Sequence, residues 1–121
     1  MEGKIMNAKI THVSLSMADH GCLTYSLTLE SGSIGCVYGG YCIGHGYLGA
    51  KDFSASANGL EAMMQIMNVV GVERWEDLKG RYIRFVDPGW GGVISTIGNI
   101  VEDNWFDQKE FFARRCEHEE K

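Results

Sequence analysis

Strict alternation of apolar and polar side chains over two successive stretches most constrains what this chain can fold into. From Thr11 to Met17, Val13, Leu15 and Met17 alternate with His12, Ser14 and Ser16. From Cys22 to Glu30, Leu23, Tyr25, Leu27 and Leu29 alternate with Thr24, Ser26 and Thr28. A period of two held this long is a strand pattern. Asp19-His20-Gly21 between the stretches predicts a three-residue hairpin loop with glycine at a left-handed position. Pairing Ala18 with Cys22 sets Met17 against Leu23, Leu15 against Tyr25 and Val13 against Leu27, which brings every apolar residue to one face. A second turn at Ser31-Gly32, closed as a two-residue loop, sets Leu29 against Ile34, Leu27 against Cys36 and Tyr25 against Tyr38. The other face carries His12, Ser14, Ser16, Thr24, Ser26 and Thr28, a hydroxyl-rich surface suited to solvent or to another subunit.

Beyond this meander the pattern changes. Gly44-His45-Gly46-Tyr47-Leu48-Gly49 reads as a glycine-rich connector; its G-x-G is not followed by a helix, so the dinucleotide fingerprint is not met. A helix is expected from about Asn58 to Val70, with Asn58 and Glu61 at capping-box spacing and Gly71 closing it. Leu60, Met63, Met64 and Met67 share one stripe and are expected to face the core. Trp75 to Leu78 reads as a short turn, Arg81 to Asp87 and Gly92 to Ile100 as strands broken by Pro88-Gly89. A last helix is expected from about Trp105 to Glu117, with Asn104 and Asp107 as its cap pair and Trp105, Phe112 and Cys116 on its core stripe. The fold class expected is α+β: an N-terminal antiparallel β-meander with a small C-terminal part of two helices and two strands. With 121 residues and no repeat or linker, the chain reads as one domain over 1–121.

Composition narrows the chemistry. Eleven basic against sixteen acidic residues give a net charge of -5, which argues against a duplex nucleic-acid binder working by bulk phosphate neutralisation. No apolar run is long enough for a membrane span, and the first residues lack a signal-peptide core, so the chain is expected to stay where it is made. The four cysteines form no C-x-x-C and read as reduced thiols, with zinc at His20/Cys22 and Cys116/His118 a poorer fit to ligand spacing. His12-Val13-Ser14 is one H-x-S, yet two-histidine phosphoesterases need two; no G-x-S-x-G is present, and no motif asks for a catalytic cofactor.

Binding has better material. All five arginines (Arg74, Arg81, Arg84, Arg114, Arg115) lie after residue 73, among Trp75, Tyr82, Phe85, Trp90, Trp105, Phe106, Phe111 and Phe112. Guanidinium groups grip phosphates in bidentate fashion, and aromatic faces stack on bases. Arg84, Arg114 and Arg115 are therefore candidate pyrophosphate ligands, and Trp90 or Phe111 a stacking surface, all drawn into one cavity. An ordinary packing account runs beside this one: Glu110 and Arg114 form an i, i+4 ion pair, and Phe111 lies under Arg115 at the same spacing.

Three passages carry a family resemblance: I-T-H-V-S-L-S-M-A-D-H-G-C-L-T (Ile10 to Thr24), V-G-V-E-R-W-E-D-L-K-G (Val70 to Gly80), and I-G-N-I (Ile97 to Ile100) followed by W-F-D (Trp105 to Asp107). Together they resemble the first type of Thoeris anti-defence proteins, small phage proteins that hold cyclic ADP-ribose isomers made by bacterial TIR-domain immune enzymes without cleaving them. Related members are thought to hold cyclic oligonucleotides at a separate site in a higher oligomer. The resemblance implies a dimer-forming α+β fold, a ligand near the subunit interface, no catalytic residues, and residence in the cytoplasm of the infected bacterial host. It carries a ligand-contacting role to Asn99 alone; Asp107 stands beside it as a further candidate contact. Two other readings stay open at this point: a protein that inhibits a defence complex directly, and a phosphodiesterase of unrecognised type.

Overall fold

The computed structural model describes residues 4–47, 49, 51–89 and 92–119, with the side chains of residues 18, 19 and 115–119 outside the description. Its frame is a seven-stranded antiparallel sheet. The strands are β1 (Lys4–Asp19), β2 (Cys22–Ser31), β3 (Ile34–His45), β4 (Ser54–Ala55), β5 (Tyr82–Asp87), β6 (Thr96–Asn99) and β7 (Trp105–Asp107). Their spatial order is β4-β3-β2-β1-β5-β6-β7. Two helices, α1 (Ala57–Val70) and α2 (Gln108–Glu119), and a 3-10 turn at Trp75–Leu78 complete an α+β chain.

The meander forms as the alternation requires, with two adjustments. Leu15 pairs with Tyr25 and Val13 with Leu27 as expected, but the end of the hairpin slips so that Asp19 pairs with Cys22 across a two-residue His20-Gly21 loop. Both loop residues take positive φ (53° and 80°), the conformation a tight hairpin needs to match strand twist. Between β2 and β3 the register differs by two residues from the expected one: Leu29 pairs with Cys36 and Leu27 with Tyr38, closing over Gly32-Ser33 instead of Ser31-Gly32. A slip of two leaves each side chain on its own face, so burial alone cannot distinguish the two pairings. β3 then continues through Gly44 and His45, where a connector was expected, by way of an irregularity at Gly39 and Gly40. Gly39 has φ 120°, and a Cβ there would overlap the Tyr25 carbonyl oxygen.

β1 is longer than its alternating stretch because it serves two partners. Its first half (Lys4 to Lys9) pairs with β5 and its second half with β2, with a register shift between Ile10 and His12 at the changeover. Ala8, Ile10, Leu27, Leu29, Tyr38, Ile83, Phe85 and Ile97 are buried on one face of the sheet, and both helices pack there.

The buried face of α1 only partly coincides with the methionine stripe: Met63 and Met67 are half-buried against the core, but Leu60 and Met64 are not. Gly59, Ala62, Ile66 and Val69 are buried, whereas Leu60 and Met64 are about 60% exposed. The cause is proximity: a Cβ on Gly59 would overlap Ile43 of β3, so the helix seats on its smallest residues and turns Leu60 and Met64 outward. Ser56, not Asn58, is the N-cap; its Oγ accepts from the Gly59 N–H at 3.0 Å. Gly71 closes the helix as expected, at φ 92°, donating to the Met67 carbonyl. The last helix starts three residues later than expected, because Trp105–Asp107 is drawn into the sheet beside β6. Cys22, Cys36 and Cys42 are free thiols, and among the described residues no helix is long and apolar enough to cross a membrane.

Candidate functional site

Alternation along β5 sorts its side chains: Ile83 and Phe85 point to the core, Tyr82 and Arg84 to the opposite, helix-free face. Arg84 faces Gly98 of β6, which faces Trp105 of β7. A Cβ on Gly98 would overlap the indole, so glycine lets Trp105 lie down on the sheet. The Arg84 guanidinium sits 4.7 Å from the centroid of that ring. Its Nε donates to the Asn99 carbonyl at 2.7 Å and its Nη2 to the Glu102 carbonyl at 2.8 Å. The indole is fixed in turn, Trp105 Nε1 donating to Asp103 Oδ1 at 2.8 Å. Two of five guanidinium N–H groups are thereby spent on orientation, leaving three for an acceptor.

A second cation–aromatic pair stands beside the first. Lys9, the cross-strand partner of Tyr82, holds its Nζ 5.9 Å from the Tyr82 ring centroid, and the ring is 59% exposed. Tyr82 and Arg84 are two residues apart on one strand, hence about 7 Å apart. The result is a strip of two cations and two aromatic rings on an open sheet, able to stack a base and neutralise a phosphate.

The other candidates fall elsewhere. Asn99 is committed to the fold: its Nδ2 donates to the Val69 carbonyl at 2.8 Å, and its Oδ1 accepts from the Val101 and Glu102 N–H groups at 2.9 and 2.8 Å. It thus ties the end of α1 to the β6–β7 turn. Asp107 caps α2, its Oδ1 accepting from the Glu110 N–H at 3.1 Å. After the larger effect of burial, its charge also helps push the ionisation of Tyr38 and Tyr41 to higher pH. Phe111 meets Phe106 and Phe112 edge-to-face at 5.4 and 5.3 Å, and Phe112 stacks on Tyr41 at 4.4 Å, an aromatic cluster against the core. Arg114 pairs with Glu110 at 2.6 Å on the exposed side of α2. Trp90 and the side chain of Arg115 lie outside the described residues.

A single cavity shared by all these groups is therefore not what one chain builds, since Arg84 and Phe111 lie on opposite faces of the sheet. Trp105, Tyr82 and Lys9 are the strip residues that reading the sequence missed. Trp105 was assigned to a helix stripe, but the alternation Tyr82-Ile83-Arg84-Phe85 already separates Tyr82 and Arg84 from the core pair. No family model, curated protein or solved structure matches this chain.

Proposed function

We propose that this protein binds a cyclic ADP-ribose isomer and holds it without hydrolysing it, blocking TIR-dependent Thoeris signalling in the cytoplasm of an infected bacterium. One observation carries the reading: the Arg84 guanidinium is held over the Trp105 ring and anchored to two carbonyls, beside Lys9 and Tyr82 on an open face. A pre-oriented guanidinium loses little freedom on gripping a pyrophosphate, and the neighbouring rings offer faces to the adenine. The three passages resembling the phage family support the choice of ligand. A sponge requires affinity and slow release rather than a nucleophile, which these four side chains suit. The open strip would be closed over the ligand by a second copy of the chain, making a homodimer or higher homo-oligomer.

The test is retention followed by release. Protein is incubated with a cyclic ADP-ribose isomer, separated from free nucleotide, and heated. Intact nucleotide recovered after heating supports the sponge; altered nucleotide identifies an enzyme; no depletion leaves inhibition through protein contact. R84A should weaken retention by roughly 10- to 100-fold, the value of a charge-assisted hydrogen-bonded contact.

A further inference from the structure

A hollow lies on the other face of the sheet, separate from the Arg84 strip. It encloses about 170 Å3 where the first residues of β1, the start of β3 and the end of β5 come together. Met6, Ile34, Phe85 and Ile94 give it apolar walls, Cys36 adds a thiol, and Asp87 stands at its edge. Among the described residues that line it, Asp87 carries the one formal charge. Burial and the nearby Asp87 carboxylate push the Cys36 thiol up, so at neutral pH that wall stays uncharged. The Gly89 N–H, donating to Asp87 Oδ1 at 2.9 Å, fixes the carboxylate while leaving it acceptor capacity. Lys4, opposite Asp87 in the ladder, lines an adjoining hollow that Asp87 also borders.

We infer that this hollow is a binding site for a small aromatic ammonium compound, its ring among Met6, Phe85 and Ile94 and its amine on Asp87. Size sets the first condition: an apolar cavity of about 150 Å3 accommodates one benzene ring, so this one takes a single ring with a short arm. Charge sets the second. The Asp87 carboxylate at the rim attracts a cation, while an anionic ligand is repelled. The hollow thus prefers the opposite charge to the Arg84 strip, so a nucleotide is not its occupant.

Phenethylamine and its uncharged counterpart 2-phenylethanol are the probes, titrated into the full-length protein by ligand-observed NMR, with Cys36 alkylation by a maleimide followed by peptide mass spectrometry to locate binding. Phenethylamine should bind at least tenfold more tightly than the alcohol and slow Cys36 alkylation severalfold without slowing that of exposed Cys42. D87N, which keeps the acceptor for Gly89, should bring the two probes to within about twofold. Equal binding of amine and alcohol to the native protein, or amine binding that leaves Cys36 alkylation unchanged, overturns the assignment, as does failure of phenethylamine to bind. If D87N unfolds, visible as fast alkylation of both cysteines, the native-protein comparison decides alone. Loss of cyclic ADP-ribose retention in R84A bears only on the strip, so the two proposals fail separately.

Discussion

Replacing Asn99 separates its part in the fold from the ligand role the family resemblance carries to it. N99A removes three hydrogen bonds: Nδ2 to the Val69 carbonyl, and Oδ1 from the Val101 and Glu102 N–H groups. At roughly 0.5–1.5 kcal/mol each, with water able to reach the two exposed N–H groups, the loss should be about 2 kcal/mol. For a chain of this length that lowers Tm by about 6–12 °C. N99D is the sharper probe. It keeps the Oδ1 acceptor but sets a carboxylate oxygen against the Val69 carbonyl, near the negative end of α1. At pH 7 it should therefore be at least as destabilising as N99A. Protonating the introduced carboxyl restores a donor, so its folded-state pKa lies above the unfolded value of about 3.9. The variant's deficit relative to the native protein should be smallest at low pH and grow as pH rises through that folded pKa. Urea unfolding across this range, with native protein beside each point, measures the difference. An N99D variant as stable as the native protein at pH 7, with no pH-dependent gap, would refute the argument. Nucleotide retention by N99A is to be measured where the variant is fully folded, so that lost affinity is not confused with lost structure.

Three further outcomes follow from the packing. L60Q and M64Q should each change stability by less than about 0.5 kcal/mol, whereas I66A should cost about 2–5 kcal/mol; chemical denaturation of the three variants tests which face of α1 is buried. G98A should displace the Trp105 indole and cost about 1–3 kcal/mol, read as a change in tryptophan fluorescence together with a lower urea midpoint. Burial pushes the ionisation of Tyr25 and Tyr38 to higher pH, so the unfolded chain releases those protons first as pH climbs past about 10. Stability should be intact below pH 10 and then fall by up to about 1.4 kcal/mol per pH unit for each such tyrosine. Y25F should reduce that slope, at the expense of the hydrogen bond Tyr25 donates to Gln108 Oε1 at 2.7 Å.

What could be read from the residues was whatever depended on parity or on turn chemistry. Alternation identified the buried face of the meander around Tyr25, Leu27 and Leu29, although Leu15, Met17 and Ile34 at its ends stay exposed, and Gly71 marked the end of α1. The β2–β3 register was misjudged because a slip of two preserves every face, and only the local geometry of Gly32-Ser33 distinguishes the alternatives. The buried side of α1 was half anticipated: Met63 and Met67 do pack against the core, but contact with Ile43 rewards the absence of a side chain at Gly59 and turns Leu60 and Met64 outward. Trp105 was misplaced for a related reason: its seat is made by Gly98 on a neighbouring strand, a pairing no local window contains. The candidate strip was half legible, through Arg84, and its aromatic partner became visible only once three strands lay side by side.

The division of β1 between two partners means that the sheet is joined along one seam. Tyr82 to Asp107 join the meander's ladder through the six residues Lys4 to Lys9 alone, a pairing between positions 73 to 83 residues apart in the chain. Trimming those residues would not shorten a dispensable tail; it would unzip the sheet into two fragments and bare the β5 margin to any passing strand. Affinity handles therefore belong ahead of residue 4 or at the far end, and the order of assembly follows: the β1–β2 hairpin closes early, and the late strands must wait for its leading half to return to them.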